Sequence, residues 1–208
     1  GTDYRLGFAF DGDADRLAVV YDGEVVDGDT VLYNISKSIT LKDNVVVGTV
    51  LNNLALERKL KQDGKKLLRT PVGDKHICDL MYRNGYNLGG EQSGHYIVYP
   101  AATTGDGILS AIFLTKALFR DGRLHDIEKL NLVPQKAIAE YAEPSIMYDK
   151  WIRSLLEESQ QKLDGNGRII MRMSGTEPKV RVMVESEDMS LVDAILAEFK
   201  KYINSVAN

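Results

Sequence analysis

Between residues 45 and 119 the chain alternates short apolar runs with longer amphipathic stretches, and this alternation limits the fold more than any other feature. VVV at 45–47 reads as a buried strand, 54–60 as an amphipathic helix closed near Gly64, and 66–70 as the next strand. Residues 74–84 form a second helical pattern, with Gly85 placed to end it in a left-handed turn. Strand-like runs at 87–90 and 96–99 bracket a loop, and 105–119 reads as a long helix with Ile108, Ile112 and Leu118 facing inward. Such βα order predicts an α/β layer around a largely parallel sheet.

The pattern changes on either side of that segment. After Pro134 come a strand at 136–141, a helix at 148–163, a strand pair at 168–173 and 180–185, and a helix at 190–206 for which Ser190 is the expected cap. This order predicts a small α+β domain. Ahead of the alternating segment, LGFAF at 6–10 and LAVVY at 17–21 read as strands, followed by a turn at Asp22-Gly23 and a short helix with Val31, Leu32 and Ile35 on one face. That piece is too small to bury a core alone, so it is expected to be the tail of a larger domain. The expected organisation is 1–40, 41–134 and 135–208: a partial α/β domain, a mixed α/β sheet domain and a C-terminal α+β domain.

Charge and apolar patterning narrow the partners. With 44% hydrophobic and 27% charged residues and a formal charge of −4, the 208 residues have ordinary globular composition. An acidic balance argues against nucleic acid or an anionic membrane as the main partner. No apolar run approaches the ~20 residues of a membrane span, and the first residues do not resemble a signal peptide. One cysteine, Cys78, excludes an internal disulfide and fits a reducing compartment. It lies in a helical pattern and is expected to be a buried structural thiol. These features together predict a cytoplasmic protein.

Three loops carry candidate chemistry. Asp11, Asp13 and Asp15 alternate with Gly12 and Ala14 between the two N-terminal strand runs, with Arg16 following. Carboxylates this close repel unless a cation shares the site, and Mg²⁺ suits a set of few carboxylates completed by water and phosphate oxygens. A solvated acidic turn is the alternative. An EF-hand is excluded, because its sixth and twelfth positions hold Arg16 and Asp22 and β-like runs flank the loop. GGEQSGH at 89–95 offers Glu91 as an acceptor, Ser93 as a hydroxyl and His95 as a titratable ring, a set suited to sugar hydroxyls; a glycine-rich connector would look similar. RMSGTEPKVR at 172–181 places Ser174 and Thr176 between Arg172 and Arg181 at a strand corner, where backbone N–H groups and guanidinium forks can hold a phosphate. The alternative is a hairpin with incidental basic residues.

Taken in order, FDGDADR at 10–16, TPVGDKHI at 70–77, GGEQSGH at 89–95, TTGDG at 103–107 and RMSGTEPKVRVMVE at 172–185 strongly resemble the α-D-phosphohexomutase superfamily, its phosphoglucosamine mutase branch most closely. The match covers nearly the whole chain. The resemblance implies that Asp11, Asp13 and Asp15 are Mg²⁺ ligands and that Arg16 lies near the reacting phosphate. It implies that Glu91 and Ser93 read sugar hydroxyls, with His95 a neighbouring active-site residue. Arg172, Ser174, Gly175 and Thr176 would clamp the phosphate that does not react, with Arg181 a weaker member of that set. It further implies a TATA-box-binding-protein-like fold for the C-terminal domain.

Ala14 stands where the branch usually has a second glycine and Met173 where it usually has proline; neither position ligates. The family's nucleophile is a phosphorylated serine in a loop resembling T-A-S-H-N, and no such string occurs in these 208 residues. The chain is therefore expected to be a fragment, the end of the second family domain with the third and fourth, and inactive alone. The intact enzyme implied is a Mg²⁺-dependent isomerase that interconverts glucosamine 6-phosphate and glucosamine 1-phosphate, with glucose or glucosamine 1,6-bisphosphate as activator and intermediate, for peptidoglycan precursor synthesis. Its implied partners are a phosphosugar, with neither nucleic acid nor membrane, and a homodimer is allowed. The alternatives are a phosphoglucomutase or phosphomannomutase, or a non-catalytic phosphosugar-binding module.

Overall fold

The computed structural model describes residues 4–206. It is a mixed α/β structure that divides into two compact units, 1–132 and 133–208.

The first unit opens with β1 (Leu6–Phe10), β2 (Leu17–Tyr21) and β3 (Glu24–Val26), an antiparallel sheet in that order. Asp22 and Gly23 both take positive φ between β2 and β3, the conformation of a tight hairpin turn. α1 (Gly28–Ile35) follows, capped by the Asp27 carboxylate, which accepts from the N–H groups of Asp29 and Thr30. Every residue of α1 from Asp29 to Ile35 is buried.

Next come β4 (Val45–Thr49), α2 (Leu54–Gln62), β5 (Lys66–Thr70), α3 (Asp74–Asn84), β6 (Leu88–Gly90), β7 (Tyr96–Val98) and α4 (Gly107–Leu118). The sheet order is β5-β4-β6-β7, parallel except for the β6–β7 hairpin. Gly85 takes the left-handed conformation that ends α3, as its position in the sequence predicts. A two-stranded hairpin of β8 (Phe119–Arg120) and β9 (Arg123–Leu124) follows α4.

Two sequence expectations in this unit are corrected. Ile108 and Ile112 point outward, 56% and 59% exposed, while Ser110, Ala111, Leu114, Ala117 and Leu118 face in. α4 is apolar nearly all round, so its periodicity does not pick a face; the small side chains that allow close approach do. Cys78 is half-buried rather than buried, with its Sγ 3.7 Å from the Thr103 carbonyl, and burial pushes its thiol pKa up.

In the second unit β10 (Gln135–Tyr141), β11 (Gly167–Met173) and β12 (Lys179–Ser186) form an antiparallel sheet with β12 in the centre. α5 (Lys150–Lys162) and α6 (Met189–Val206) cover it. Val180, Val182 and Val184 alternate onto one face of β12 and pack with Ile152 and Leu155 of α5 and Ile195, Phe199 and Ile203 of α6. The cap of α6 is Asp188, whose carboxylate accepts from Leu191 N–H, and not Ser190, which lies inside the helix. An aspartate three residues before a helical N–H reaches it without distortion, and Ser190 has no such place.

A buried polar network ties α1 to the β4–α2 connection. The Asp29 carboxylate accepts from Asn52 Nδ2 at 2.6 Å and from the backbone N–H of Asn53 at 2.5 Å. Asn53 in turn caps α2 by accepting from Ala55 N–H. Burial pushes the Asp29 carboxyl up to about 6, with the two Asn donors opposing it. A carboxyl raised on folding contributes stability that is full below its unfolded pKa and lost as pH rises through the folded one. Stability of the native protein should therefore fall between about pH 4 and pH 6 relative to Asp29→Asn, which does not titrate there. Asp29→Asn should also cost about 1–3 kcal/mol at neutral pH, because its amide faces two donors with one acceptor. Urea unfolding across that pH range measures both.

Candidate active site

The acidic loop joins β1 to β2, and its backbone is held from below by two neighbours. Leu17 N–H donates to the Gly94 carbonyl at 2.9 Å, and Arg16 pairs with His95 in an isolated antiparallel bridge. Gly107 N–H donates to the Ala14 carbonyl at 2.9 Å. The glycines at these contacts have no room for a side chain: a Cβ on Gly94 would lie 2.5 Å from Leu17 O and one on Gly107 2.6 Å from Arg16 O. The acidic loop and the 89–95 loop are thus one hydrogen-bonded assembly seated on the start of α4.

Asp11, Asp13 and Asp15 each turn a carboxylate oxygen toward the others, all within 4.8 Å. Asp15 Oδ1 is buried without a hydrogen-bond partner among the described residues. An orphaned anionic oxygen in such a cluster is costly unless a cation meets it, and three oxygen donors at this spacing fit a hard divalent ion. Burial works to raise the Asp11 carboxyl, but Arg16's N–H and guanidinium with Asp15 more than offset it and hold it below the ordinary range. Arg16 Nε stands 3.8 Å from both Asp11 Oδ2 and Asp15 Oδ1 and is more than half exposed, free to reach an anion.

His95 lies beneath this loop, 4% exposed, with Nδ1 3.3 Å from Asp15 Oδ2. Its Nε2 has no hydrogen-bond partner among the described residues and stands 3.9 Å from Asp74 Oδ2. Gly105 lies against the ring, where a Cβ would come within 2.3 Å of Cε1. Glu91 N–H donates to the His95 carbonyl, closing the β6–β7 hairpin, while Glu91 Oε1 accepts from Gly73 N–H at 3.2 Å. Ser93 is exposed and shares with Asp11 and Arg16 the wall of a pocket of about 300 Å³. The structure therefore brings Asp11, Asp13, Asp15, Arg16, Glu91, Ser93 and His95 together. Gly105, Gly107 and Asp74 are neighbours that the sequence reading assigned no role; TTGDG and TPVGD were visible as strings, but their contacts were not.

The second unit carries the basic loop. Arg172 on β11 and Arg181 on β12 are direct cross-strand partners. Like charges directly opposite are destabilising unless an anion joins them. Burial, with Arg181 opposite, lowers the Arg172 guanidinium from its ordinary range. Arg181 has one distant carboxylate, Glu177 Oε2 at 3.8 Å. Ser174 N–H donates to the Lys179 carbonyl to close the turn, which leaves Gly175 and Thr176 exposed and the space beside Gly175 open. On the same strand pair Arg168 meets the fully buried Glu185, so one end of the charge ladder is neutralised and the Arg172–Arg181 end is not. Met173, in place of proline, pairs with Val180 and packs against the core of this unit.

Ala14 has a φ of 58°, a conformation costing about 1 kcal/mol for a residue with a Cβ. Ala14→Gly should stabilise the first unit by up to about 1 kcal/mol, and Gly107→Ala should destabilise it by about 1–3 kcal/mol by forcing the acidic loop off α4. Denaturant midpoints of the two variants should move in opposite directions.

Comparison with known proteins adds the family. The alpha/beta/alpha domain III of phosphoglucomutase/phosphomannomutase matches residues 27–132, and the C-terminal domain of the same family matches 120–201. Phosphoglucosamine mutase of Streptococcus gordonii is 44% identical over 200 residues, 90% of this chain and 44% of that protein. Aspergillus fumigatus N-acetylphosphoglucosamine mutase, solved in complex with GlcNAc-6P and magnesium, superimposes with a TM-score of 0.71 at 21% identity, covering 93% of this chain and 47% of that one. A variant of the same fungal enzyme in complex with glucose 1,6-bisphosphate gives 0.68 at 21% identity, covering 92% and 46%. The chain spans about half the length of the curated relatives it matches. Among the described residues no helix is long and apolar enough to cross a membrane. By both domain matches and by the bacterial relatives at about 40% identity, the chain belongs to the phosphoglucomutase/phosphomannomutase family of phosphohexomutases.

Proposed function

We propose that these residues form the C-terminal part of a cytoplasmic phosphoglucosamine mutase, an isomerase that interconverts glucosamine 6-phosphate and glucosamine 1-phosphate. The observation that carries this reading is the Arg16–His95 bridge, which fixes a three-carboxylate cradle beside the Glu91 and Ser93 loop. A cation site next to a hydroxyl-reading loop suits transfer of a phosphoryl group to and from a sugar. The relatives named phosphoglucosamine mutase favour the amino sugar over glucose or mannose.

In this reading Asp11, Asp13 and Asp15 hold Mg²⁺, which when bound neutralises charge on the transferring phosphoryl group. Arg16, exposed at the rim, pairs with that phosphate's oxygens. Glu91 accepts from the sugar hydroxyls and Ser93 donates or accepts there. His95 holds the Asp15 carboxylate in place from below. Arg172 and Arg181, with the Ser174, Gly175 and Thr176 turn, bind the phosphate that is not transferred, which relieves their mutual repulsion. The phosphoryl group comes from a phosphoserine and returns to it from the other end of a hexose 1,6-bisphosphate. No T-A-S-H-N-like string occurs in the 208 residues, so the nucleophile is assigned to sequence outside them, and these residues alone should show no turnover.

Asp13→Asn in the full-length enzyme should lower turnover steeply and shift its Mg²⁺ dependence to higher concentration, since one ligand of a hard-cation site is weakened. Unchanged activity across a Mg²⁺ titration would remove the metal assignment. Arg172→Ala should cost roughly 1.5–3 kcal/mol in kcat/KM, about 10- to 150-fold, through lost charge-assisted bonds. The loss should shrink for phosphoryl acceptors that lack the distal phosphate; an equal loss for both would make Arg172 structural. Turnover of glucosamine, glucose and mannose 6-phosphates by the same protein separates the amino-sugar reading from a phosphoglucomutase or phosphomannomutase.

A further inference from the structure

One carboxylate beside the 89–95 loop has no part in the chemistry above. Asp74 begins α3, directly after Gly73, whose N–H is held by Glu91 Oε1. Gly73 takes φ 122° and ψ 134°, a backbone conformation that side chains rarely adopt, so the turn that carries Asp74 up to Glu91 depends on glycine. Asp74 Oδ1 accepts from the N–H of Lys75 at 2.8 Å, an ordinary use of an acid at a helix start. Asp74 Oδ2 lies 3.9 Å from the buried Nε2 of His95. That distance is too long for a hydrogen bond, and Nε2 has no other partner among the described residues. The Asp74 side chain remains about half exposed, at 55%.

Two features of this arrangement point to a ligand. A buried ring nitrogen without a partner among the described residues stands 3.9 Å from an accessible carboxylate oxygen, too far for that oxygen to satisfy it. Carboxylates also outnumber cations in this neighbourhood: Glu91 is tied to the same turn and Asp15 meets the other edge of the His95 ring, while Arg16 is engaged by Asp11 and Asp15 and not by Asp74. For a substrate that is itself a phosphate ester, an extra carboxylate here is repulsive, unless the substrate brings a positive group to meet it. An amino sugar does. Its ammonium presents three donors to acceptors, as a neutral hydroxyl cannot.

We propose that Asp74 is a specificity-determining residue that reads the protonated amine of a glucosamine phosphate, while Glu91 beside it reads a neighbouring hydroxyl. This rests on the phosphoglucosamine mutase reading and deepens it: the selection for an amino sugar resides in the turn before α3, held to the 89–95 loop by the Gly73–Glu91 bond. Charged hydrogen bonds of this kind discriminate more sharply than shape does.

The test compares kcat/KM for glucosamine 6-phosphate and glucose 6-phosphate in the full-length enzyme and its Asp74→Asn and Asp74→Glu variants. Asp74→Asn should lower the amino-sugar-to-glucose ratio at least tenfold, chiefly through KM for the amino sugar, and Asp74→Glu should restore part of it. A merely structural residue would lower both substrates together and leave the ratio alone. A native enzyme that prefers the amino sugar, with the same ratio in Asp74→Asn, overturns the role of Asp74 and leaves the mutase reading standing. A native enzyme that turns over neither sugar phosphate overturns both. Discrimination against N-acetylglucosamine 6-phosphate, whose amide carries no charge, should fall in Asp74→Asn as well; if it stays, charge is not what Asp74 reads.

Discussion

The first unit depends on one short backbone contact, the pairing of Arg16 with His95 and of Leu17 with Gly94. It joins an antiparallel hairpin to a mostly parallel sheet, and α4, which packs against both, reinforces the join through Gly107 N–H on the Ala14 carbonyl. Once joined, the acidic loop cannot move without the 89–95 loop. The contact exists only because Gly94 and Gly107 let backbone meet backbone, at spacings where a Cβ would collide. Preorganisation follows: carboxylates that would repel in a mobile loop are held converging before any ligand arrives.

His95 extends that rigidity to side chains. Its ring, pressed against Gly105, keeps Nδ1 on Asp15 and leaves Nε2 toward Asp74. One buried imidazole thereby meets an acid of the β1–β2 loop on one edge and stands near an acid at the start of α3 on the other. Behind it the Asp29–Asn52–Asn53 network anchors α1 to the β4–α2 turn. Gly28, at the start of α1, lies so close to Gln92 that a Cβ there would be 2.1 Å from its carbonyl oxygen. The loop that bears Glu91 and Ser93 is thus braced from two sides by elements distant in sequence.

In the second unit electrostatics does the comparable work. The strand pair that neutralises Arg168 with Glu185 leaves Arg172 opposite Arg181. Repulsion between the last two is tolerated because the valine face of β12 and the helices α5 and α6 hold the sheet together. Stability supplied by the core is what lets the exposed corner keep an unfavourable charge pattern suited to an anion.

Local patterning alone determined much of this protein. The alternation of apolar runs and helical stretches specified the longer strands and the helices, since side-chain period is a property of the backbone itself. It did not specify the short β3 or the β8–β9 hairpin, which have too few residues to show a period. The acids at 11, 13 and 15 and the arginines at 172 and 181 were legible because charge repulsion operates at short sequence separation. Where local information is degenerate, the sequence misleads: α4 is apolar nearly all round, so its period does not keep Ile108 and Ile112 outside, and Ser190 looks like a cap that Asp188 provides. Tertiary structure decided the rest. Gly105 under His95, Gly107 under the acidic loop, and Asp74 beside Glu91 and His95 are contacts across roughly 10 to 90 residues. No sequence period encodes them, because they arise only when separate sheets and helices are packed at van der Waals distance.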